Sequence, residues 1–276
     1  MFIKSIFVTF IVLLECISNI ASAELIKIMS FNIHHSEQHD GTISTASIAD
    51  KIITERADII VLQEVDDKTK RTNNVDQLAQ IAKLANLKYY KFGAFFDYDG
   101  GQYGMGIISR YPIIDSYNIP LPDGPEPRTS LMTTVNINGK KLNVIGVHLY
   151  RSLEERILQA QAIVDCVKSS TLPLIVTGDF NTTPSNSSPT KYVNSTIDHG
   201  KDNTLMQYLT SHWTRLEKIG NKVSFPSGNM WDDDGEGQVE IDHTFIKNLD
   251  INSVKAHYLI KGIVSDHRPL ITEISW

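Results

Sequence analysis

Short apolar runs alternate with helix-like patterns along most of the chain. Six runs rich in Ile, Val and Leu predict β-strands, and several of them are apolar almost throughout. Such runs are typical of strands that are buried on both faces. The predicted strands span residues 25–31, 58–62, 104–109, 131–137, 142–148 and 174–177.

Three amphipathic helices are predicted between these strands. The first covers residues 44–55, and the apolar stripes of the other two read as core faces rather than cofactor-binding segments. The second stripe consists of Val75, Leu78, Ala79, Ala82 and Ala85, and the third of Leu153, Ile157, Ala160, Val164 and Val167.

Turn signals complete this outline. The dipeptide Asn138-Gly139 joins two strand-like runs and predicts a hairpin, so we expect mixed rather than purely parallel sheets. Residues 181–202 and 232–237 are predicted surface loops. No linker or fixed-period repeat divides the chain, and we therefore predict one domain over residues 24–276.

The N-terminal segment does not fit the domain pattern. Lys4 precedes an apolar run that is followed by Ala21-Ser22-Ala23, so residues 1–23 are predicted to be a secretory signal peptide. The alternative is an uncleaved membrane anchor, but Glu15 interrupts the run short of the roughly 20 residues that span a bilayer. We accordingly predict a secreted or periplasmic protein.

Composition agrees with a folded domain of modest negative charge. Of 276 residues, 41% are hydrophobic and 21% charged, and the net charge of -6 argues against a general polyanion-binding surface. Cleavage would remove Lys4 and Glu15, which leaves the charge unchanged, and also Cys16. Cys166 would then be alone, and its helical context predicts a buried small hydrophobic residue rather than a nucleophile.

Polar side chains interrupt the ends of the apolar strands. A carboxylate in such a place is costly unless it is paired, hydrogen-bonded or bound to a metal. Each residue alone is also consistent with a strand-end cap or a turn, but so many in one domain are harder to explain separately. They are Asn32, Glu64, His148, Asp179, Asn181, Asp242, Asp266 and His267.

This donor set has a definite chemistry. Carboxylate and amide oxygens with imidazoles and no thiolate cluster favour Mg²⁺, or Mn²⁺ or Ca²⁺, over a structural zinc ion. A hard metal beside Asp and His suits the hydrolysis of a phosphate ester. The chain lacks a Gly-x-Ser-x-Gly elbow, a Walker-type loop and a Gly-x-Gly-x-x-Gly turn, which disfavours the corresponding enzyme classes.

In its motifs the chain resembles the endonuclease/exonuclease/phosphatase superfamily, which includes deoxyribonucleases, abasic-site endonucleases and neutral sphingomyelinases. The resemblance implies an α/β fold: a four-layer α/β sandwich of two mixed β-sheets packed face to face with helices outside. The motifs, in the order of the superfamily, are Met29-Ser30-Phe31-Asn32, Leu62-Gln63-Glu64-Val65, Val147-His148-Leu149, Gly178-Asp179-Phe180-Asn181, Ile241-Asp242-His243 and Ser265-Asp266-His267-Arg268-Pro269.

The resemblance also implies residue roles at a metal and phosphate site. Glu64 matches the principal metal ligand, Asn32 contributes to the metal site and its hydrogen bonds, and Asp266 matches a residue assigned to a second metal or to phosphate. Asp179 and Asn181 match the pair that orients the attacking water and contacts the scissile phosphate.

Two histidines have implied catalytic roles. His267 matches the catalytic imidazole, and Asp242 the carboxylate that orients it. His148 matches the second histidine of the deoxyribonuclease and sphingomyelinase branches, where it donates to the phosphate or to the leaving oxygen.

Further residues are candidates for substrate contact. His34 shares a strand face with Asn32, Tyr103 precedes a strand near the motifs, and Arg128 is placed to reach phosphate from the rim. His35 and His243 are predicted to flank the site, because neighbouring side chains on a strand point to opposite faces.

These observations predict a secreted, metal-dependent phosphodiesterase that uses a metal-activated water and an Asp–His pair. Its partner would be a phosphate ester, either nucleic acid or a phospholipid head group, and we predict a monomer without an obligate protein partner. The alternatives are a secreted endonuclease acting on DNA or RNA, a sphingomyelinase-like enzyme, and a catalytically silent binding protein. Acidic, basic-poor loops at 38–45 and 231–240 disfavour duplex DNA.

Overall fold

The computed structural model describes residues 23–122, 124–184, 203–226, 239–262 and 264–276. The predicted signal peptide, the predicted loop 232–237 and most of the predicted loop 181–202 lie outside these ranges, apart from Ala23 and residues 181–184. The strands are β1 (Leu25–Asn32), β2 (Ile59–Asp67), β3 (Tyr89–Tyr98), β4 (Gly101–Ser109), β5 (Ile113–Pro120), β6 (Thr129–Ile137), β7 (Lys140–His148), β8 (Leu174–Asp179), β9 (Thr214–Arg215), β10 (Asp242–Lys247), β11 (Val254–Leu259) and β12 (Leu270–Ser275). The helices are α1 (Thr45–Glu55), α2 (Gln77–Leu84), α3 (Leu153–Val167) and α4 (Asn203–His212).

The strands form two six-stranded sheets. The order is β11-β12-β1-β2-β4-β3 in sheet 1 and β5-β6-β7-β8-β10-β9 in sheet 2. The pairs β1–β2 and β7–β8 are parallel and the remaining pairs antiparallel, so the prediction of mixed sheets is confirmed. The predicted hairpin is also present, since Asn138 (φ 51°) and Gly139 (φ 91°) join β6 to β7.

Side-chain alternation divides the core into three clusters. In β1, Ile26 and Ile28 belong to the cluster between the two sheets, whereas Met29 and Phe31 pack with α1 and α2 on the outer face of sheet 1. Helices α3 and α4 cover the outer face of sheet 2 in the same way. This gives helix, sheet, sheet and helix layers, which confirms the predicted four-layer sandwich.

The first predicted helix is confirmed almost to the residue. Ser44 is its N-cap, and its side chain accepts a hydrogen bond from the backbone N–H of Ser47 at 3.2 Å. Helix α1 ends at Glu55, and Arg56 follows in the left-handed conformation. None of the helices in the described part of the chain has the length and hydropathy that a membrane span requires.

The other two helical predictions need correction. In α2, Leu78 and Ala82 are buried as predicted and Ala85 packs against the same cluster, but Gln77 and Ile81 are buried instead of Val75 and Ala79. In α3, Ala160, Val164 and Val167 are buried as predicted and Ile157 packs against them, but Leu153 is 45% exposed and the polar residues Arg156 and Gln159 are also buried. Cys166 is free and exposed rather than buried, because its position lies off the packed face of α3.

Candidate active site

Three strands of sheet 2 align polar side chains on its inner face. His148 at the end of β7 pairs with Asp179 at the end of β8, and Asp179 pairs with Asp242 at the start of β10. The three side chains continue the inward series of their own strands, to which Val144, Ile175 and Ile246 belong. Neighbouring strands are about 4.8 Å apart, so the fold sets these functional groups side by side facing sheet 1.

Sheet 1 supplies Asn32 and Glu64 from the opposite side. Glu64 would follow Leu62 towards the helices, but the register of β2 against β4 shifts at Glu64, whose φ is 57°. This β-bulge turns its carboxylate into the site. Asn32 Nδ2 lies 3.0 Å from Glu64 Oε1 and 3.3 Å from Asp179 Oδ2, so one amide connects the two sheets.

Asp242 and His267 form a buried pair at one side of the site. His267 Nδ1 lies 2.8 Å from Asp242 Oδ2, and its Nε2 lies 3.7 Å from Asp179 Oδ2. Burial lowers the pKa of His267, but Asp242, Asp266 and Asp179 outweigh that effect and raise it to about 10. The imidazole therefore carries a proton at neutral pH and aims Nε2 at the centre of the site.

Asp179 occupies that centre. Its Oδ1 accepts a hydrogen bond from the backbone N–H of Asn181 at 2.8 Å, and its Oδ2 lies 3.5 Å from His148 Nε2. Burial raises the pKa of Asp179, and the nearby carboxylate of Asp242 raises it further, to about 7. The group is therefore matched to accept a proton at neutral pH.

A glycine is required directly before this aspartate. Gly178 has a φ of 151°, and a Cβ added there would lie 2.0 Å from the carbonyl oxygen of Val147 on the neighbouring strand. Glycine alone avoids that clash. The Gly-Asp pair of the motif is thus a consequence of close strand packing at the position where Asp179 turns into the site.

His148 is oriented by Arg128. The guanidinium Nη1 lies 2.7 Å from His148 Nδ1, and its Nη2 lies 2.6 Å from Glu126 Oε1. Arginine can only donate, so Nδ1 must accept and the proton of the neutral ring must lie on Nε2, which faces Asp179. Arg128 is only 7% exposed, which corrects its predicted placement on the rim. Whether it contacts phosphate stays a prediction.

Asp266 adds a buried carboxylate that interacts electrostatically with Glu64. Ser265 Oγ lies 3.1 Å from Asp266 Oδ1 and 2.7 Å from the carbonyl oxygen of Asn32, which joins the last motif to β1. Burial raises the pKa of Asp266, and Glu64 adds to that shift. Buried carboxylates that share one site repel one another, and a divalent cation would relieve that cost.

The substrate candidates occupy different positions. The backbone N–H of His34 donates to Asn32 Oδ1 at 3.1 Å, and its side chain is partly exposed beside Glu64. This hydrogen bond occupies the amide oxygen of Asn32, and the Asn32 amide nitrogen contacts Glu64 and Asp179. The structure thus shows Asn32 in the hydrogen-bond network of the site, whereas its role as a metal ligand stays a prediction. Tyr103 is buried against Phe95, with ring centroids 5.6 Å apart. Burial keeps its phenol protonated by raising its pKa far above the usual value.

Strand alternation places one of the two flanking histidines, His243, away from the site, but it does not apply to His35. His243 is completely buried, and its Nε2 lies 2.9 Å from the carbonyl oxygen of Thr182 on the far side of sheet 2. It therefore lies outside the site, as the alternation predicts. His35 does not follow that rule, because the strand has ended before it and its ring lies beside that of His34 at 4.4 Å between centroids.

Comparison with known proteins agrees with this geometry. Residues 29–267 match the profile of the Endonuclease/Exonuclease/phosphatase family. The chain belongs to that family. The match covers every motif residue of the site, from Asn32 to His267. No curated protein matches the sequence.

Several solved structures have the same fold as this chain at low sequence identity. An endonuclease/exonuclease/phosphatase from Beutenbergia cavernae is 21% identical over 91% of this chain and 71% of its own, with a TM-score of 0.70. The mannosyl-6-phosphatase Bt3783 of Bacteroides thetaiotaomicron is 16% identical over 91% and 100%, with a TM-score of 0.67. Truncated Caenorhabditis elegans TDP2 is 18% identical over 91% and 98%, with a TM-score of 0.64.

The sequence patterns did not identify Arg156, which supports the backbone next to the site. It is completely buried in α3, and its Nη1 donates to the carbonyl oxygens of Asn181 and, at 3.2 Å, of Arg151. Arg156 thereby holds the segment that carries Asn181. Helical spacing could have identified it, because Ala160 and Ile163 lie four and seven residues after Arg156 and share its buried face.

Arg128→Ala is expected to lower kcat by about 10- to 100-fold, a loss like that caused by removing the partner of a metal-bound histidine. Without the guanidinium donor, the His148 ring can place its proton on either nitrogen. Kinetics with bis-p-nitrophenyl phosphate and ¹⁵N chemical shifts of the His148 ring would measure both effects. Arg110→Ala is the matched control, because Arg110 is half exposed and paired with Asp58.

A raised KM with an unchanged His148 tautomer would contradict this role of Arg128. It would instead assign the guanidinium to direct phosphate binding, as predicted from the sequence.

Proposed function

We propose that this protein is a secreted phosphoric ester hydrolase that depends on a divalent metal ion and acts on phosphodiesters. The observation that carries the proposal is the buried Asp242–His267 pair. His267 Nε2 faces Asp179, which lies between the imidazoles of His267 and His148. Secretion rests on the N-terminal sequence pattern alone.

The donor set fits Mg²⁺, with Mn²⁺ or Ca²⁺ as alternatives. Glu64 and Asp266 would hold the ion, and Asp179 borders the same space. Carboxylate oxygens are the ligands that these ions prefer. When bound, the ion supplies positive charge for the phosphate oxygens.

The protein's own groups divide the remaining work. Asp179, with a pKa of about 7, accepts the proton of the attacking water, and the N–H of Asn181 holds its other oxygen in place. The imidazolium of His267 stabilises the negative charge that develops on the phosphoryl group. His148 donates a hydrogen bond from Nε2 to a phosphate oxygen or to the leaving oxygen and keeps that proton, because Arg128 occupies its Nδ1.

The low exposure of these groups supports catalysis over simple binding. Asp179, Asp242 and His267 are at most 4% exposed, so their charges interact in a site with little water. A catalytically silent binding protein would not need a buried, mutually repelling set of carboxylates, which costs folding free energy.

A substrate panel tests the proposal. Purified protein would be assayed with bis-p-nitrophenyl phosphate, plasmid DNA, RNA, sphingomyelin and a phosphomonoester, each with Mg²⁺ and again with EDTA. A hexose 6-phosphate is a suitable monoester, because one solved relative is a mannosyl-6-phosphatase. We expect diester turnover that EDTA abolishes and Mg²⁺ restores.

The outcomes separate the alternatives. Cleavage of DNA or RNA with intact lipid would identify a nuclease, and lipid turnover with intact nucleic acid would remove that function. Glu64→Gln should lower turnover at limiting Mg²⁺ more than at saturating Mg²⁺. Turnover that persists in EDTA would contradict the metal dependence, and no turnover of any ester would contradict the hydrolase itself.

A further inference from the structure

The turn after β1 has an unusual backbone. His34, His35 and Ser36 have φ angles of 44°, 43° and 62°, so three consecutive residues other than glycine are left-handed. Each such residue costs on the order of 1 kcal/mol, and glycine would avoid the cost. Strain of this kind persists where the surroundings enforce it and is concentrated at ligand clamps.

The surroundings do enforce this turn. The backbone N–H of Ile33 donates to the carbonyl oxygen of Gln63 at 3.1 Å, which fixes the start of the turn to β2. Gln77 Nε2 donates to the carbonyl oxygen of His35 at 2.6 Å, which fixes its middle to α2. Two imidazoles are therefore held on a rigid support beside the Glu64 bulge.

Three side chains of this region meet at ligand distance. One nitrogen each from His34 and His35 and one carboxylate oxygen of Glu64 all lie within 4.8 Å of one another. Ligand atoms around a bound zinc are about 3.3 Å apart when the bonds are about 2.0–2.1 Å. The partly exposed His34 side chain can make up the difference by rotating.

The hydrogen bonding of His35 leaves its Nδ1 available to a metal ion. Its Nε2 lies 2.9 Å from Glu37 Oε2, whereas its Nδ1 is buried and has no hydrogen-bond partner. A metal-bound histidine characteristically donates its other ring N–H to a carboxylate. An unsatisfied buried nitrogen otherwise costs about 1–3 kcal/mol.

We propose that His34, His35 and Glu64 form a second cation site, selective for a borderline divalent ion such as Zn²⁺, with Glu37 orienting His35. Imidazole ligands favour such ions over Mg²⁺, which prefers an all-oxygen set. The site lies beside the carboxylates assigned above to Mg²⁺ and shares Glu64 with them. This zinc site is independent of the proposed hydrolase activity, because Zn²⁺ binding can be measured without turnover.

Direct metal binding tests this site. EDTA-treated and desalted protein would be titrated with Zn²⁺ by calorimetry, and with Co²⁺ by visible absorption, which reports nitrogen ligation. We expect one site whose affinity falls more than about 10-fold in His34→Ala and in His35→Ala, and by about 10- to 100-fold in Glu37→Gln. His39→Ala is the matched control, since His39 lies in the same loop and is exposed.

The controls keep the result unambiguous. Circular dichroism and thermal melts would confirm that the variants are folded, and the partly exposed His34 leaves one variant with little risk to the core. Equal Zn²⁺ affinity and equal Co²⁺ spectra in His34→Ala, His35→Ala and His39→Ala would overturn the proposal. Failure of the hydrolase would show instead as missing turnover in the Mg²⁺ assay, with Zn²⁺ binding intact.

Discussion

His267→Ala is expected to lower the turnover of bis-p-nitrophenyl phosphate by at least about 100-fold, the loss typical of removing a group that stabilises developing charge. The structure places His267 Nε2 3.7 Å from Asp179 and holds the ring with Asp242, so the variant loses a positive charge at the centre of the site. Steady-state kinetics at saturating Mg²⁺ would measure kcat and KM.

Two variants control this experiment. Asp242→Asn keeps the His267 ring but removes the carboxylate that raises its pKa, so we expect an intermediate loss of kcat. His212→Ala removes an exposed histidine at the end of α4 and should leave kcat unchanged. Wild-type turnover in folded His267→Ala would refute the assignment of His267.

Arg156→Ala is expected to destabilise the protein by about 3 kcal/mol, because it leaves buried carbonyl oxygens without donors and opens a cavity in α3. At about 2–4 °C per kcal/mol for a domain of this size, the melting temperature should fall by about 6–12 °C. Differential scanning calorimetry in EDTA would measure the change independently of bound metal.

The loss should also reach the active site. Arg156 donates to the carbonyl oxygen of Asn181, whose N–H holds Asp179, so we expect lower kcat even where the variant is fully folded. Lys168→Ala is the control, since Lys168 is 70% exposed directly after the same helix and should change stability by less than about 0.5 kcal/mol. Equal melting temperatures in the two variants would contradict the structural role of Arg156.

Six of the eight interior strands could be predicted because their environment matches their composition. Residues 25–31 and 174–177 are apolar on both faces, since each sheet is covered by the other sheet and by helices. Six strands were missed: β3, β5, β9 and β11 are the four sheet edges, whereas β10 and β12 each lie next to an edge strand. In β5, exposed residues interrupt the apolar pattern, and partners supplied by β6 stabilise the strand instead.

Helix faces were less predictable for a related reason. A helical stripe identifies a buried face only when that face is apolar, and α3 buries Arg156 and Gln159 there. Gln159 accepts a hydrogen bond from the N–H of Tyr150 at 2.8 Å, and Arg156 donates to two carbonyl groups. These polar residues form hydrogen bonds with backbone groups of the loops that carry the site. A local sequence pattern cannot predict such contacts.

For the site, strand-end positions and family motifs identified the residues, and strand parity separated His243 from them. Asn32, His148, Asp179 and Asp242 stand at the ends of strands whose alternation can be read along the chain. Family resemblance added their order. Their convergence follows once the two sheets face each other, because the ends of β1, β7 and β8 then lie at one edge of the sandwich.

The site residues could therefore be identified from each strand separately. The orientation of their side chains depends on contacts between distant segments. The bulge that turns Glu64 inwards appears only in the pairing of β2 with β4. The proton position on His148 depends on Arg128, which is 20 residues away. Hydrogen bonds, burial and pKa values arise from neighbours in space, so local periodicity specifies which groups face the core and tertiary packing specifies what each group can do.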